Sequence, residues 1–413
     1  MATNTSGGTT TSFSNTPQAT NDVFNTTEDV LGITYLDVMG NDLGGNAKIL
    51  WSLDDGCSAS TTTNGVTPTK IYAPADLLVQ DIGGLADSTP DFSAKGARIW
   101  IENGKVGYDP STFSVALKAQ LQSLAVGQSM TDSFTYAIRL ANGTLAWATA
   151  TVVIAGANDG PVITNGTAAR AGEVTEAGNL DDGTAVAGTN MVSGQLSASD
   201  VDSGATQTWS IQGTPSTTYG SLAVNALTGK WTYTLDNSDS DTQALKEGAS
   251  VVETYTVRVT DDFGAYVDQT VTVTIKGTND APVITTAVGG NADTASESGV
   301  HPGNTAFAGD PDASGTLSSS DVDTGATAAW SGDATGTYGS FAIDASSGAW
   351  TYSLNNADGD TNALKQGAVV TDSFTATVTD DFGATATQVV TITITGTNDA
   401  PVITTAVGGN ADT

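Results

Sequence analysis

The chain is poor in the groups that most often carry chemistry. Its single cysteine, Cys57, has no partner among 413 residues, which excludes an internal disulfide framework and a cysteine-based zinc site. Cys57 therefore reads as a small buried or loop thiol. The single histidine, His301, lies in GVHPGN without a triad partner or a second metal-binding nitrogen, and reads as an exposed turn residue. No P-loop, dinucleotide-binding fingerprint or HExxH occurs, and the expectation is a protein without catalysis. Basic residues are few: 13 Lys and Arg face 45 Asp and Glu, a net charge of −32, which argues against nucleic acid or an anionic membrane surface as partner. No apolar run reaches the roughly 18 residues of a membrane span. Residues 1–20 hold neither a basic segment nor an apolar stretch and do not form a cleavable signal peptide. Even glutamate is scarce, at 7 against 38 aspartates. Helix surfaces favour Glu, whereas turns and oxygen-rich cation loops favour Asp.

What the chain has in abundance is repetition. GANDGPVIT at 156–164 returns as GTNDAPVIT at 277–285 and at 396–404, with Pro161, Pro282 and Pro401 spaced 121 and 119 residues apart. Such a period marks tandem domains of single-core size. The expected division is a flexible or assembly-ordered tail (1–19), a divergent domain with an insertion (20–157), two regular repeats (158–278 and 279–397) and the start of a further repeat (398–413). Residues 396–413 copy 277–294 letter for letter. The first domain follows the repeat pattern only in its second half. After residue 45 it carries about 50 residues without counterpart, the place where specialised binding is expected.

Each repeat reads as all-β. TYTVRVTDDFGAYVDQTVTVTIKG and FTATVTDDFGATATQVVTITITG are alternating strand pairs with turns at Asp261–Gly264 and Asp380–Gly383. GKWTYTLDN and GAWTYSLNN supply further strands, and Trp209, Trp330, Trp231 and Trp350 read as core. ALKEG (244–248) and ALKQG (363–367) hint at a helical turn. Trp100 and Trp147 read as core before surface. Some seven short strands per repeat, with turn signals every 8–12 residues, predict a β-sandwich.

Placed on an immunoglobulin-like sandwich, the acidic clusters converge. The linker between repeats and the loops after the second and sixth strands share one pole. For the second repeat these supply Asn158 and Asp159, Asp200 and Asp202, and Asp261 and Asp262. For the third they supply Asn279 and Asp280, Asp321 and Asp323, and Asp380 and Asp381. Glu176 and Glu297, late in the predicted first strands, are placed to reach the following joint from below, with Glu28 as the first domain's equivalent. A set of carboxylates without nitrogen or sulfur suits a hard cation wanting 6–8 oxygens, hence Ca²⁺. Each motif alone is also an ordinary turn; their coincidence at one pole, twice, carries the metal reading. At the third joint the two loop arms would lie beyond Thr413, so that joint is expected to be empty or weakly occupied unless another chain completes it.

The run DVDSG…YGSLAVN…WTYTLDN…VTDDFGA…VTVTIKGTNDAPV resembles the VCBS repeats of large bacterial surface proteins and RTX-type adhesins, and its NDAP joint is similar to the calcium linkers of cadherins. The resemblance covers 160–413 well and the first domain's second half loosely. It implies tandem immunoglobulin- or cadherin-like β-sandwich domains arranged as an elongated, Ca²⁺-stiffened rod, extracellular or on the bacterial cell surface and secreted without an N-terminal signal peptide. The implied role is adhesion or biofilm matrix, with neighbouring copies, matrix polysaccharide or cell surfaces as partners. Gly160 replaces the Ala281 and Ala400 of the other joints, which loosens the backbone and leaves the ligands intact. Two other readings stay open: a self-assembling filament subunit exchanging strands through its N-terminal tail or its C-terminal strand, and the non-catalytic repeat region of a secreted enzyme.

Overall fold

The computed structural model describes residues 18–29, 32–54, 75–82, 84–86 and 90–402, together with the backbone of a hairpin in which Ala2–Ser6 pairs antiparallel with Thr9–Phe13. Cys57 and much of the first-domain insertion lie outside the described residues. The chain groups into two compact units, one of residues 1–164 with 198–208 and 259–267, the other of residues 165–197 with 209–258 and 268–413. The fold is all-β, built from tandem two-sheet sandwiches.

In the first unit one sheet has the order Asp22–Thr27, Leu145–Ala155, Ser129–Leu140, Lys48–Asp54, and the other Thr34–Leu36, Lys105–Asp109, Arg98–Glu102, Asp91–Phe92. Side chains alternate along these strands. The inward set, including Leu53, Ile99, Tyr108, Phe134, Tyr136 and Ile138, fills the space between the sheets with almost no exposure. A short helix, Val115–Leu121, starts where the Ser114 hydroxyl accepts from Leu117 N and ends by burying Leu121 in the same core.

The second unit carries the bulk of the two regular sandwiches. Their larger sheets run Ala171–Thr175, Tyr266–Lys276, Ser250–Asp261, Gln207–Ile211 and Ala292–Ser296, Thr385–Thr395, Val369–Asp380, Ala328–Ser331. Each core is centred on one tryptophan, Trp231 or Trp350, at 0% and 1% exposure. Each indole N–H donates to a backbone carbonyl, Ala169 O or Gly290 O, both at 2.8 Å. The residue directly across the ladder is Gly194 or Gly315. A methyl group there would stand 2.5 Å from Trp231 Nε1 or 2.6 Å from Trp350 Cζ2, so glycine is what lets the ring lie flat on the neighbouring strand.

A second device, not read from the sequence, recurs in all three sandwiches: a buried carboxylate at Asp132, Glu253 or Asp372. Asp132 accepts from Tyr108 OH at 2.8 Å and from the Ser93 hydroxyl. Glu253 accepts from Tyr233 OH and Tyr255 OH at 2.8 and 2.7 Å. Asp372 accepts from Tyr352 OH at 2.8 Å and from the N–H groups of Thr337 and Tyr338. Each thus pins one sheet to the other with satisfied hydrogen bonds, the condition for a polar group to sit in a core.

Three expectations need correcting. The helical turn of the second repeat is Ser240–Gln243, one turn before ALKEG, because Asp239 is the residue able to cap it through Asp241 N; ALKQG forms a turn. His301 belongs to a short strand, Gly299–His301, paired with Thr305–Phe307, and its ring packs 4.8 Å from that of Phe307. Trp100 is core, but Trp147 points off the outer face of its sheet and is 42% exposed.

Replacing Trp350 by alanine is expected to cost the third repeat about 3–5 kcal/mol, whereas Trp147→Ala should change stability by no more than about 0.5 kcal/mol. Urea unfolding followed by tryptophan fluorescence checks both.

Candidate metal centres

One feature of strand pairing places the acidic residues. In every sandwich the first strand lies parallel to the last: Thr27 pairs with Ala155, Thr175 with Lys276, and Ser296 with Thr395. Parallel neighbours end at the same pole. The residue after each first strand, Glu28, Glu176 or Glu297, is therefore delivered beside the linker that leaves the last strand. The backbone repeats the arrangement each time, with Glu28 N donating to Ala155 O, Glu176 N to Lys276 O and Glu297 N to Thr395 O, at 3.1, 2.9 and 3.0 Å. All three glutamates are 0% exposed. Each carboxylate takes one linker N–H, from Ala157 at 2.8 Å, Thr278 at 3.3 Å or Thr397 at 2.9 Å.

At the first joint, which belongs wholly to the first unit, carboxylate oxygens of Glu28, Asp159 and Asp202 lie within 4.8 Å of one another. Asp202 Oδ2 accepts from Asp159 N at 2.9 Å, and Asp200 Oδ1 accepts from Asp202 N at 3.0 Å, so the linker and the DVD loop are laced together by backbone donors. Four oxygens are left buried without a hydrogen-bond donor: Glu28 Oε2, Asp159 Oδ2, Asp200 Oδ2 and Asp202 Oδ1.

The second joint, wholly within the second unit, repeats the aspartate hydrogen bonds and the bare aspartate oxygens but not the glutamate's. Asp323 Oδ2 accepts from Asp280 N at 2.9 Å and Asp321 Oδ1 from Asp323 N at 3.0 Å. Asp280 Oδ2, Asp321 Oδ2 and Asp323 Oδ1 are the buried oxygens without donors. Here Glu176 has both oxygens engaged, one by Thr278 N and the other by Gln243 Nε2 at 3.0 Å. Gln243 is a neighbour that no sequence motif announced.

The remaining residues surround these clusters in other roles. Asn158 and Asn279 donate through Nδ2 to Asp261 Oδ2 and Asp380 Oδ2, each at 2.9 Å. The other oxygen of Asp261 accepts from Phe263 N and Ala265 N, and that of Asp380 from Phe382, Gly383 and Ala384 N. These two aspartates thus fold the DDFG turn and fix the linker asparagine. Asp262 and Asp381 are exposed, and accept from Thr206 N and Thr327 N at 3.1 Å. At the third joint Glu297 Oε1 is buried without a donor, while Asn398 is exposed and donates to Asp399 O.

The electrostatics follow from burying like charges together. Glu176 is pushed up to about 8, by burial first and then by Asp280 and Asp323, against the opposing Thr278 N–H. Asp280 is pushed up to about 6 by burial and by Asp323 and Asp321. Glu28, Asp159, Asp321, Asp323 and Glu297 are all raised, with burial the largest cause in each. Asp261 moves the other way: burial pushes it up, but donation from Asn158 and the turn N–H groups outweighs that. Buried carboxylate oxygens that receive no proton donor are unfavourable unless a positive charge reaches them. The unsatisfied set is all oxygen, which fits a hard divalent cation and not a soft one.

Residues 158–277 and 279–396 each match the family model described as a bacterial cadherin-like domain. No curated protein matches the chain. Similar solved structures include extracellular cadherin domains 1–4 of protocadherin γB7, at 16% identity over 92% of this chain and 76% of that one, with a TM-score of 0.37. Mouse cadherin-23 EC22–24 is similar at 16% identity over 81% of this chain and 93% of that one, TM-score 0.35. Drosophila N-cadherin EC1–4 is similar at 13% identity over 91% and 74%, TM-score 0.33. Likeness at this level carries no functional argument. The two family-model matches together span more than half of the chain, and the chain belongs to the bacterial cadherin-like domain family.

Proposed function

We propose that this chain is an extracellular structural and adhesive repeat protein of a bacterial surface or matrix, whose joints are stiffened by Ca²⁺. The observation that carries this reading is the recurrence, at two joints, of the same three buried aspartate oxygens without donors: one from the linker and two from the DxD loop. Glu28, Asp159, Asp200 and Asp202 would hold an ion at the first joint, and Glu176, Asp280, Asp321 and Asp323 at the second. A bound cation supplies the positive charge that like-charged groups in a buried cluster lack. The residues themselves do the positioning. The glutamate fixes the exit of the last strand, the linker aspartate N–H ties to the DxD loop, and Asp261 or Asp380 holds the linker asparagine. No catalytic role is assigned to these carboxylates, because they recur with the repeat. The VCBS-type affiliation, and copies of the chain or matrix polysaccharide as partners, belong to the same reading. The Ala2–Ser6 and Thr9–Phe13 hairpin keeps strand-mediated self-assembly open as a second version of it.

Chelation is expected to leave far-UV circular dichroism unchanged while limited proteolysis opens new cuts within 156–161 and 277–282. Calcium should suppress those cuts at least about tenfold, in line with the protection that a site-specific ligand confers on what it binds. Equal cleavage with calcium and with chelator contradicts the reading.

The raised Glu176 gives a pH test. The folded state favours its protonated form, so its contribution to stability is fully present below about 4.5 and is lost as pH rises through about 8. In chelator, the second repeat should therefore lose stability across that window. Glu176→Gln should remove the part of the loss above about pH 6, where Asp280 has titrated, and raise the alkaline-side Tm by a few °C, roughly what 1 kcal/mol shifts a domain of this size. In calcium the order reverses, with Glu176→Gln the less stable form. Thermal melts at pH 5, 7 and 9 with calcium or chelator decide it; a Glu176→Gln variant that behaves as wild type in all of them contradicts the assignment of Glu176.

A further inference from the structure

The N-terminal pole of the first sandwich carries a fourth copy of the joint sequence, and there the aspartates meet a tyrosine hydroxyl. Thr20-Asn21-Asp22 repeats the Thr278-Asn279-Asp280 and Thr397-Asn398-Asp399 of the linkers. As in the joints, the linker backbone is tied to a loop aspartate, with Thr20 N donating to Asp42 Oδ1 at 2.7 Å. Asp22 and Asp42 are both buried, at 9% and 7% exposure. Unlike the joint aspartates, neither has a buried oxygen without a donor.

One polar side chain is present here that the other repeats lack. Tyr136 stands four residues after Asp132, where the other repeats have Val257 after Glu253 and Ala376 after Asp372. Its hydroxyl reaches the pole and lies 2.8 Å from Asp22 Oδ2, 3.2 Å from both oxygens of Asp42 and 2.9 Å from Thr20 O. At the matching positions Val257 and Ala376 carry no polar side-chain atom.

We propose that the Tyr136 hydroxyl closes this pole in place of a cation, so that this pole is cation-independent where the two joints are cation-dependent. The proposal rests on the calcium reading of the two joints only for that contrast. Hydroxyl bookkeeping is consistent with it. The group has one proton to give and two lone pairs with which to accept. The contacts to both carboxyls are met together when one of them keeps its proton and donates it to the hydroxyl, which in turn donates to the other; the Thr20 carbonyl, which only accepts, shares that hydroxyl proton. Burial raises both Asp22 and Asp42, as that sharing requires. The other groups facing the cluster are Asp37, which repels Asp22; Asn41, which hydrogen-bonds Asp22; and Lys48, whose ammonium donates to Met39 O at 2.6 Å and to Asp42 O. The lysine places a fixed positive charge beside a pole that the joints leave to a soluble one.

The test uses the full chain and calcium alone as probe. By calorimetric titration, Asp202→Asn should weaken or remove one binding event, whereas Asp22→Asn should leave number and affinity unchanged. In chelator, Tyr136→Phe should lower the Tm of the first sandwich by about 2–6 °C, the shift expected from removing a hydrogen bond to a charged group in a domain of this size. Loss of a calcium-binding event in Asp22→Asn overturns the proposal, because the pole would itself hold an ion. So does a Tyr136→Phe melt in chelator that matches wild type, because the hydroxyl would then close nothing. If Asp202→Asn leaves the isotherm unchanged, the reading of the joints fails separately, and the melt in chelator still decides the role of Tyr136.

Discussion

The parallel pairing of first and last strands is the constraint from which the rest of the architecture follows. Antiparallel strands end at opposite poles, and an all-antiparallel sandwich would leave Glu28, Glu176 and Glu297 at the far pole from the linkers they contact. Because the pair is parallel, a chain that leaves the last strand meets a buried glutamate within two residues. It is then handed on to the DxD loop of the next sandwich. Each joint is thus assembled from three segments, successive ones 43 to 129 residues apart in sequence, tied together by backbone N–H groups that donate to the carboxylates.

That assembly accumulates negative charge faster than it supplies donors. The N–H groups of the linker and of the loops satisfy Asp261 and Asp380 completely and leave oxygens of Asp159, Asp202, Asp280 and Asp323 bare. Two solutions to the same excess stand in one chain. At the joints the oxygens remain open and suited to a divalent ion, and Asp280 and Asp323 are raised toward protonation by burial and then by neighbouring carboxylates. At the first pole a tyrosine, a shared proton and a lysine fill the same role internally. Tyr136 stands where the other two repeats have Val257 and Ala376.

Much of this was legible in the residues, and the part that was not has physical reasons. The convergence of Asp159 with Asp202, and of Asp280 with Asp323, could be read because repeats align loops of known pole, and a sandwich offers few ways to connect them. Glu28, Glu176 and Glu297 were legible through their matched spacing. The division of labour within DDFG was not, since one aspartate folding the turn and the next facing solvent look alike as letters. Asp132, Glu253 and Asp372 escaped notice because each occupies an inward position of an alternating strand, where a carboxylate reads as a break in pattern until its tyrosines are seen across the sheet. Trp147 misled for the opposite reason. It lies in an apolar strand, but alternation puts it on the outer face. The match between Thr20-Asn21-Asp22 and the linkers was hidden by the absence of the proline that marks the other copies.

The bare oxygens of the joints are held to be cation ligands, and the carboxylates of the first pole are not. Anomalous diffraction from crystals soaked in a lanthanide that substitutes for Ca²⁺ tests it most directly. The account predicts peaks enclosed by Glu28, Asp159, Asp200 and Asp202 and by Glu176, Asp280, Asp321 and Asp323, with none between Asp22 and Asp42. Joints without anomalous density, or a peak beside the Tyr136 hydroxyl, would contradict it.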